Sequence, residues 1–251
     1  MAVRLPNRMI GMTKVNWKAF WQTYRKIEVN NEKDLYFEVG KTVNKEPISE
    51  DTLRHSIKLV ADGLQLQSND RLLELCCGNG LMTRYLAALV EQVYAVDFAE
   101  HLISHACQFR AAPNVHYVCA DAVDFVNQLL TSKLYVPSKV LLGDALGYFE
   151  PSSLGEVLTS IGELTSGNFT FMATGIPSDE LKWNFYNTPD RVRRYEENQF
   201  LENNTNDGIG RWWRISELEQ LARDRGLKLD VQTQPTFISN FRVDAVFSGH
   251  S

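Results

Sequence analysis

The feature that most constrains the fold is a rhythm. Between Arg71 and Phe247, short apolar runs alternate with helical segments. The runs "RLLEL" (71–75), "QVYAVD" (92–97), "VHYVC" (115–119), "KVLLG" (139–143) and "FTFMAT" (169–174) are apolar at nearly every position. That pattern suits strands covered on both faces, as in a parallel sheet, where each crossover lays a helix on the sheet. The stretches "LMTRYLAALVEQ" (81–92) and "SSLGEVLTSIGEL" (152–164) predict such crossover helices. Strand and helix alternating through short connections argue for a doubly wound α/β sheet.

After the fifth run the rhythm changes. Residues 176–214 lack a strand pattern and are rich in aromatics, Asn and Arg. "SELEQLARDRG" (216–226) then predicts a helix, with Ser216 and Glu219 at capping-box spacing and Gly226 at the C-terminal cap. Two closing runs, 227–234 and 241–248, flank "PTFISN" and predict a terminal antiparallel hairpin. The first 65 residues form a region of their own. In "KVNWKAFWQTYRKI", Trp17, Phe20, Trp21 and Tyr24 fall on one helical face, which either packs on the domain or serves as a lid. "SEDTLRHSIKLVADG" (49–63), with Leu53, Ile57 and Val60 in register, predicts a core-covering helix. The expected division is a helical cap at 1–65 and one domain at 66–251, with 176–214 as a substrate-facing insertion.

Composition narrows the partners more than the fold. The chain has 251 residues, enough to bury a full core, and a formal net charge of −5. An acidic balance offers no general attraction to nucleic acid or anionic membrane, because polyanion binding needs a positive field. The opening "MAVRLPNRMIGM" holds no long apolar core, so neither a signal peptide nor a membrane span is expected. Cys76, Cys77, Cys107 and Cys119 are then expected to be reduced thiols in a cytoplasmic setting. No C-x-x-C pair or nearby His completes a ligand set, so no metal site is expected.

The adjacent Cys76 and Cys77 sit in "RLLELCCGNG", where a strand breaks into a glycine-rich turn. A turn of this kind, opening into a helix, aims backbone N–H groups at a ligand. A dinucleotide fingerprint G-x-G-x-x-G fails, since Cys76 and Leu81 occupy two of its three glycine slots. A phosphate cradle at Gly40-Lys41-Thr42 fails too, with Leu35 where its first glycine belongs. What remains is acidic-x-small-x-Gly-x-Gly: Glu74, Cys76, Gly78 and Gly80.

On these residues the chain resembles the class I S-adenosylmethionine-dependent methyltransferases, whose first motif has the form D/E-x-G-x-G-x-G. "ELCCGNG" matches it with Cys76 in the first glycine slot. Cys76 is expected to make the turn without the freest glycine geometry, and Cys77 to turn inward as a compact apolar residue. The resemblance implies S-adenosyl-L-methionine as cofactor, S-adenosyl-L-homocysteine as product, and this loop beside the methionine part. It implies that Asp97, 17 positions past Gly80, accepts hydrogen bonds from the ribose hydroxyls, with Phe98 packing on the adenine. Asp121, followed by Ala122, would face the adenine amino group. Gly143, Asp144 and Tyr148 would stand nearest the transferred methyl, with Asp144 and Tyr148 as acceptor-orienting groups. The implied fold is Rossmann-like and doubly wound. Its mostly parallel seven-stranded sheet ends in the antiparallel hairpin, and the N-terminal segment forms a helical cap.

A sulfonium methyl is already activated, so alignment supplies much of the acceleration, and only a hydroxyl acceptor wants a general base. His101, His105 and His116 fall on a helix or inside a strand, away from the strand ends where such folds place ligands, and are expected to be structural. Acceptor choice is expected in the aromatic N-terminal segment and in 176–214. There Trp183, Tyr186, Arg191 and Arg194 mix flat apolar surfaces with guanidinium groups. Such a lining suits a planar or sugar-like small molecule, including one with a carboxylate or phosphate. The same pattern also fits an amphipathic helix with solvated arginines. The expected activity is methyl transfer to a small-molecule acceptor. Its alternatives are an RNA or protein acceptor, and a cofactor-binding protein without catalysis.

Overall fold

The structure is a computed structural model, and it describes residues 16–24, 26–43, 45–198 and 208–249. Residues 1–15 of the expected cap and 199–207 of the expected insertion therefore lie outside the described residues. The chain opens with α1 (Trp17–Thr23), α2 (Glu32–Glu38), the short strands β1 (Thr42–Val43) and β2 (Glu46–Pro47), and α3 (Glu50–Leu64). The alternating part follows as β3 (Arg71–Leu75), α4 (Thr83–Ala87), β4 (Gln92–Asp97), α5 (Glu100–Phe109), β5 (Val115–Cys119), α6 (Ala122–Ser132), β6 (Lys139–Leu142), α7 (Pro151–Leu164) and β7 (Thr170–Pro177). It closes with α8 (Lys182–Phe185), α9 (Pro189–Asn198), α10 (Ile215–Arg223), β8 (Lys228–Thr233) and β9 (Arg242–Ser248).

Seven strands form one sheet in the order β5-β4-β3-β6-β7-β9-β8. The first five neighbours pair in parallel, while β9 runs antiparallel to both β7 and β8. This is the expected doubly wound sheet with its closing hairpin, and β9 is inserted between β7 and β8. Residues alternate between the two faces. Leu73, Leu75, Val96, Val140 and Phe171 pack under α6, α7 and α10, whereas Leu72, Val93, Ala95 and Leu141 pack under α3 and α4. Both faces are covered, which is why the central parallel strands are mostly apolar.

Three boundaries differ from expectation, each for a local reason. The helix expected over 81–92 stops at Ala87, because the Asn114 side chain donates to the carbonyls of Ala87 (2.8 Å) and Val90 (3.2 Å). Those carbonyls need no further helical turn. β7 runs on to Pro177, since it pairs with β9 across an irregularity between Ala173 and Ile176 where Gly175 takes φ +62°. The last helix starts at Ile215, and its N-terminal bond runs from the Arg214 N–H to Glu217 Oε2 (3.0 Å), in place of the Ser216–Glu219 box. Gly226, at φ +63°, does supply the left-handed turn after it.

The expected cap is not uniform in its packing. Leu53, Val60 and Leu64 of α3 are buried in the core, and Leu35 and Tyr36 of α2 are buried as well. α2 is further tied down by polar groups. Asn79 Nδ2 donates to the Leu35 carbonyl (2.8 Å) and to Glu38 Oε2 (2.9 Å), and His105 Nδ1 meets Glu38 Oε1 at 2.8 Å. α1 buries no residue and lies across the C-terminal ends of the strands, with Trp17 and Trp21 against Tyr148. Among the described residues, no helix is long and apolar enough to cross a membrane.

Candidate active site

The C-terminal ends of β3, β4 and β6 lie in register, with Glu74 beside Ala95 and Leu141, and Leu75 beside Val96 and Leu142. Each chain then turns away from the sheet, leaving a crevice, the place where open α/β sheets hold ligands. Here it is a cavity of about 430 Å³, roofed by Trp17, Lys18 and Trp21 of α1. Glu74, Cys76, Gly78, Asp97, Phe98, Asp121, Ala122, Gly143, Asp144 and Tyr148 all line it. Four separate segments thus deliver their residues to one space.

The loop after β3 is shaped by its backbone. Cys76 sits at φ +59° and Gly78 at φ +58°. The sequence-based expectation that Cys76 would avoid the glycine-like conformation is therefore wrong. A non-glycine residue there costs on the order of 1–2 kcal/mol, and such strain persists only where the surroundings hold it. The surroundings are visible: the Cys77 N–H donates to the Val96 carbonyl (3.0 Å) and the Gly78 N–H to Asp97 Oδ2 (2.9 Å). A Cβ on Gly78 would lie 2.9 Å from Val39 of the α2 end, so the loop is also pressed from above. Gly80 does not line the cavity. At φ +73° it packs under Tyr117, whose hydroxyl would stand 2.5 Å from an added Cβ. Burial raises both thiols, Cys76 and Cys77, well above the ordinary cysteine range. Cys77 packs against the apolar cluster under α3 and α4, as an inward-turned residue.

The acids of the crevice differ in state. Glu74 points to the α3/α4 face and is buried, and its Oε2 has no hydrogen-bond partner. Burial pushes its carboxyl up to about 7, with the charge of Asp97 adding to the rise. Burial also raises Asp97, against the N–H groups of Ala99, Gly78 and Phe98. Asp121 accepts from the Val123 and Asp124 N–H groups (2.9 and 3.2 Å) as the N-cap of α6, and pairs with Lys18 at 2.7 Å. Burial opposes its ionisation, but Lys18 and the cap bonds hold it below its usual range.

Asp144 also has a left-handed backbone, at φ +52°. It pairs closely with Lys41, and Arg242 Nη1 stands 3.7 Å from its Oδ1. Burial would raise this carboxyl, but the two cations outweigh it and hold it below the usual aspartate range. Tyr148 donates to the Gly208 carbonyl (3.1 Å), and burial pushes its hydroxyl up to about 12. Around these two residues opens a second cavity of about 360 Å³, lined by Phe20, Trp21, Tyr24, Val39, Gly40, Lys41, Asp144, Tyr148, Gly208 and Arg242. Lys41 and Arg242 were not anticipated as site residues. Lys41 fails the phosphate-loop pattern and reaches the site only through tertiary packing, and Arg242 reads as part of a strand.

Trp183, Tyr186, Arg191 and Arg194 line neither cavity. Trp183 and Tyr186 belong to a separate aromatic cluster with Tyr195 and Trp212, Arg191 lies over the Phe185 ring, and Arg194 is exposed. Of the histidines, His105 bonds to Glu38 and His116 to Gln92, and neither they nor His101 line either cavity.

The first cavity fits the implied cofactor on two observations of its own. Glu74 lines it and, among the described residues, keeps one buried carboxylate oxygen without a partner, an acceptor of the kind an ammonium group needs. At Gly143 no protein atom lies within 4 Å of where a Cβ would be, so bare backbone borders open space.

Residues 72–163 match the family model described as "Methyltransferase domain". No curated protein sequence matches the chain. Among solved structures, it is similar to DhpI in its complex with SAM and HEP, at 14% identity and TM-score 0.58, over 92% of this chain and 95% of that one. It is also similar to the N-methyltransferase NodS from Bradyrhizobium japonicum WM9 with S-adenosyl-L-homocysteine (14%, TM-score 0.54, 83% and 90% covered). A third is magnesium protoporphyrin IX methyltransferase from Synechocystis PCC 6803 with bound SAM (14%, TM-score 0.52, 94% and 93% covered). At these identities the structures show a shared fold, while the family match covers the segment that carries the motif loop. The match over 72–163 and the shared fold make the class I S-adenosylmethionine-dependent methyltransferases the family that this chain resembles.

Proposed function

We propose that the chain methylates a small-molecule acceptor on oxygen or nitrogen, with the cofactor in the first cavity and the acceptor in the second. The observation that carries this reading is their common wall. Trp21, Val39, Lys41, Asp144 and Tyr148 border both spaces. A volume of about 360 Å³ suits a metabolite, and aromatic walls with a few polar groups are the usual lining of such a site. Similarity to magnesium protoporphyrin IX methyltransferase, an enzyme named for a small-molecule acceptor, supports this reading. The acidic overall charge gives no support to an RNA acceptor.

S-adenosylmethionine supplies a methyl group already activated on a sulfonium. The residues around it hold and align. Glu74 receives the ammonium of the methionine part, beside the loop of Cys76, Gly78 and Gly80. Asp97 accepts from the ribose hydroxyls; the bonds from the Gly78 and Ala99 N–H groups fall on different oxygens and leave lone pairs on each. Phe98 and Ala122 border the adenine, Asp121 faces its amino group, and Gly143 leaves room by lacking a side chain. Asp144 is held ionised by two cations and Tyr148 holds its proton, so both orient the acceptor and neither is set up as a general base near neutral pH. The cap of 1–65 contributes α1 as a lid, latched by Lys18 on Asp121 and by Trp17 and Trp21 on Tyr148. The methyltransferase domain proper is 66–251, and a cytoplasmic setting accords with four free thiols.

The test is methyl transfer from labelled cofactor to a metabolite library, run beside RNA and protein extracts. Label in a small molecule is expected. Label confined to RNA or protein would reverse the acceptor assignment, and failure to bind S-adenosylhomocysteine in calorimetry would remove the cofactor site itself.

A further inference from the structure

Among the described residues, the second cavity is lined by two cations, Lys41 and Arg242, and one acid, Asp144. Lys41 and Asp144 form a close pair, and Arg242 is the additional cation. Its contact with Asp144 is 3.7 Å, beyond hydrogen-bond reach, and its Nε is buried with no partner among the described residues. A buried guanidinium N–H left unpaired costs free energy, so a site of this kind is expected to be completed by a ligand acceptor. The Asp244 carboxylate does not line the cavity; its Oδ1 accepts from the Gly175 N–H (2.8 Å) and from Gln234 Nε2 (2.8 Å). The Arg242 guanidinium is placed by Phe241, whose ring centroid is 5.3 Å away.

We infer that the methyl acceptor carries a carboxylate, received by Arg242 in the second cavity, with its apolar or planar body against Trp21, Phe20 and Tyr148. This rests on the assignment of that cavity to the acceptor. The chemistry discriminates among acceptor classes. An ammonium group beside Lys41 and Arg242 meets two like charges at close range. A phosphate dianion brings one negative charge more than the single surplus cation balances. A carboxylate matches it one for one, and the planar fork of arginine fits two carboxylate oxygens at once. Trp21 meets both Phe20 and Tyr148 ring to ring at this cavity, so the body of the molecule has flat surface to lie on.

The test uses the full chain saturated with S-adenosylhomocysteine, titrated by calorimetry with benzoate, phenylacetate and indole-3-acetate. Each acid is compared with its own amide, with the corresponding amine, and with phenyl phosphate. At least one acid is expected to bind about tenfold more tightly than its amide, the worth of one charge-assisted contact. Arg242→Gln should erase that preference, Arg242→Lys should keep part of it, and both should bind S-adenosylhomocysteine within about twofold of the parent, since Arg242 does not line the first cavity. Four results would overturn the inference: amides or amines binding as well as acids, phenyl phosphate binding best, a preference that survives Arg242→Gln, or no acid binding at millimolar concentration. If the parent binds no S-adenosylhomocysteine, the cofactor assignment fails instead, so the two failures are distinguishable.

Discussion

The two cavities share a wall and are built from different materials. The first is shaped mainly by backbone: left-handed turns at Cys76 and Gly78, an open Gly143, and N–H groups fixed on Asp97. The second is shaped by side chains from distant segments: Trp21, Lys41, Tyr148 and Arg242. Backbone geometry is hard to vary without losing the turn, whereas side chains on loops and strand edges can be exchanged one at a time. One cavity is thus suited to a constant ligand and the other to a changeable one. Substitutions that separate the two functions are the direct way to test that division.

The largest expected effect is on pH dependence, and it belongs to the first cavity. Glu74 has a folded pKa of about 7, well above its ordinary value. Its contribution to stability is therefore fully present below about pH 4.5 and is lost as pH rises through about 7, a change of order 3 kcal/mol. Chemical denaturation of the cofactor-free chain should show the parent losing stability relative to Glu74→Gln across that window. S-adenosylhomocysteine affinity of the parent should rise over the same range, since its ammonium favours the carboxylate. Parallel pH profiles for the two proteins would refute both statements. Next comes Asp97→Ala. It removes the acceptor for the Gly78 and Ala99 N–H groups together with the proposed ribose contact. Calorimetry should show affinity for S-adenosylhomocysteine weakened about a hundredfold; unchanged affinity would break the assignment.

Gly175→Ala is the matching test on the acceptor side. A Cβ there would collide with the Asp144 carboxylate, and φ is +62°, so the substitution displaces Asp144 from Lys41 and Arg242. Methyl transfer should fall about tenfold or more, because alignment of the acceptor is disturbed, while S-adenosylhomocysteine affinity stays near that of the parent. Equal losses of both would mean that the common wall does not separate the two sites.

The same division explains what was legible in the sequence. Strands β3 and β4 match their expected limits because a strand covered on both faces leaves a largely apolar run, and the residues at its end mark the crevice. Glu74, Asp97, Asp121 and Asp144 could be read that way, each from its own strand end. Lys41 and Arg242 could not. One follows a glycine in a loop, the other begins an antiparallel strand, and only the folded chain brings them within reach of Asp144. Trp183 and the arginines of 191–194 were misleading for the complementary reason. Their composition suggests a binding surface, yet aromatic residues of 183–212 satisfy one another in a cluster of their own. Composition reports what a segment can contact, and topology decides what it meets.

The smallest expected effect concerns the most conspicuous residues. Cys76 holds a left-handed backbone that glycine would hold without strain, so Cys76→Gly relieves roughly 1–2 kcal/mol in the folded chain. The extra freedom of glycine in the unfolded chain offsets about 0.4–1 kcal/mol of that. The net result is a gain under about 1 kcal/mol, measurable as a small rise in the denaturation midpoint, with cofactor affinity little changed. Cys76→Val tests the same cause in the opposite direction, because a β-branched side chain tolerates this conformation least; it should destabilise the chain and weaken S-adenosylhomocysteine together. Cys77→Ser, whose thiol packs inward, should leave methyl transfer largely intact. A dead Cys77→Ser enzyme, or a Cys76→Gly variant that loses transfer while keeping its fold, would mean that sulfur itself takes part, and that the first cavity depends on a side chain where its geometry points to the backbone.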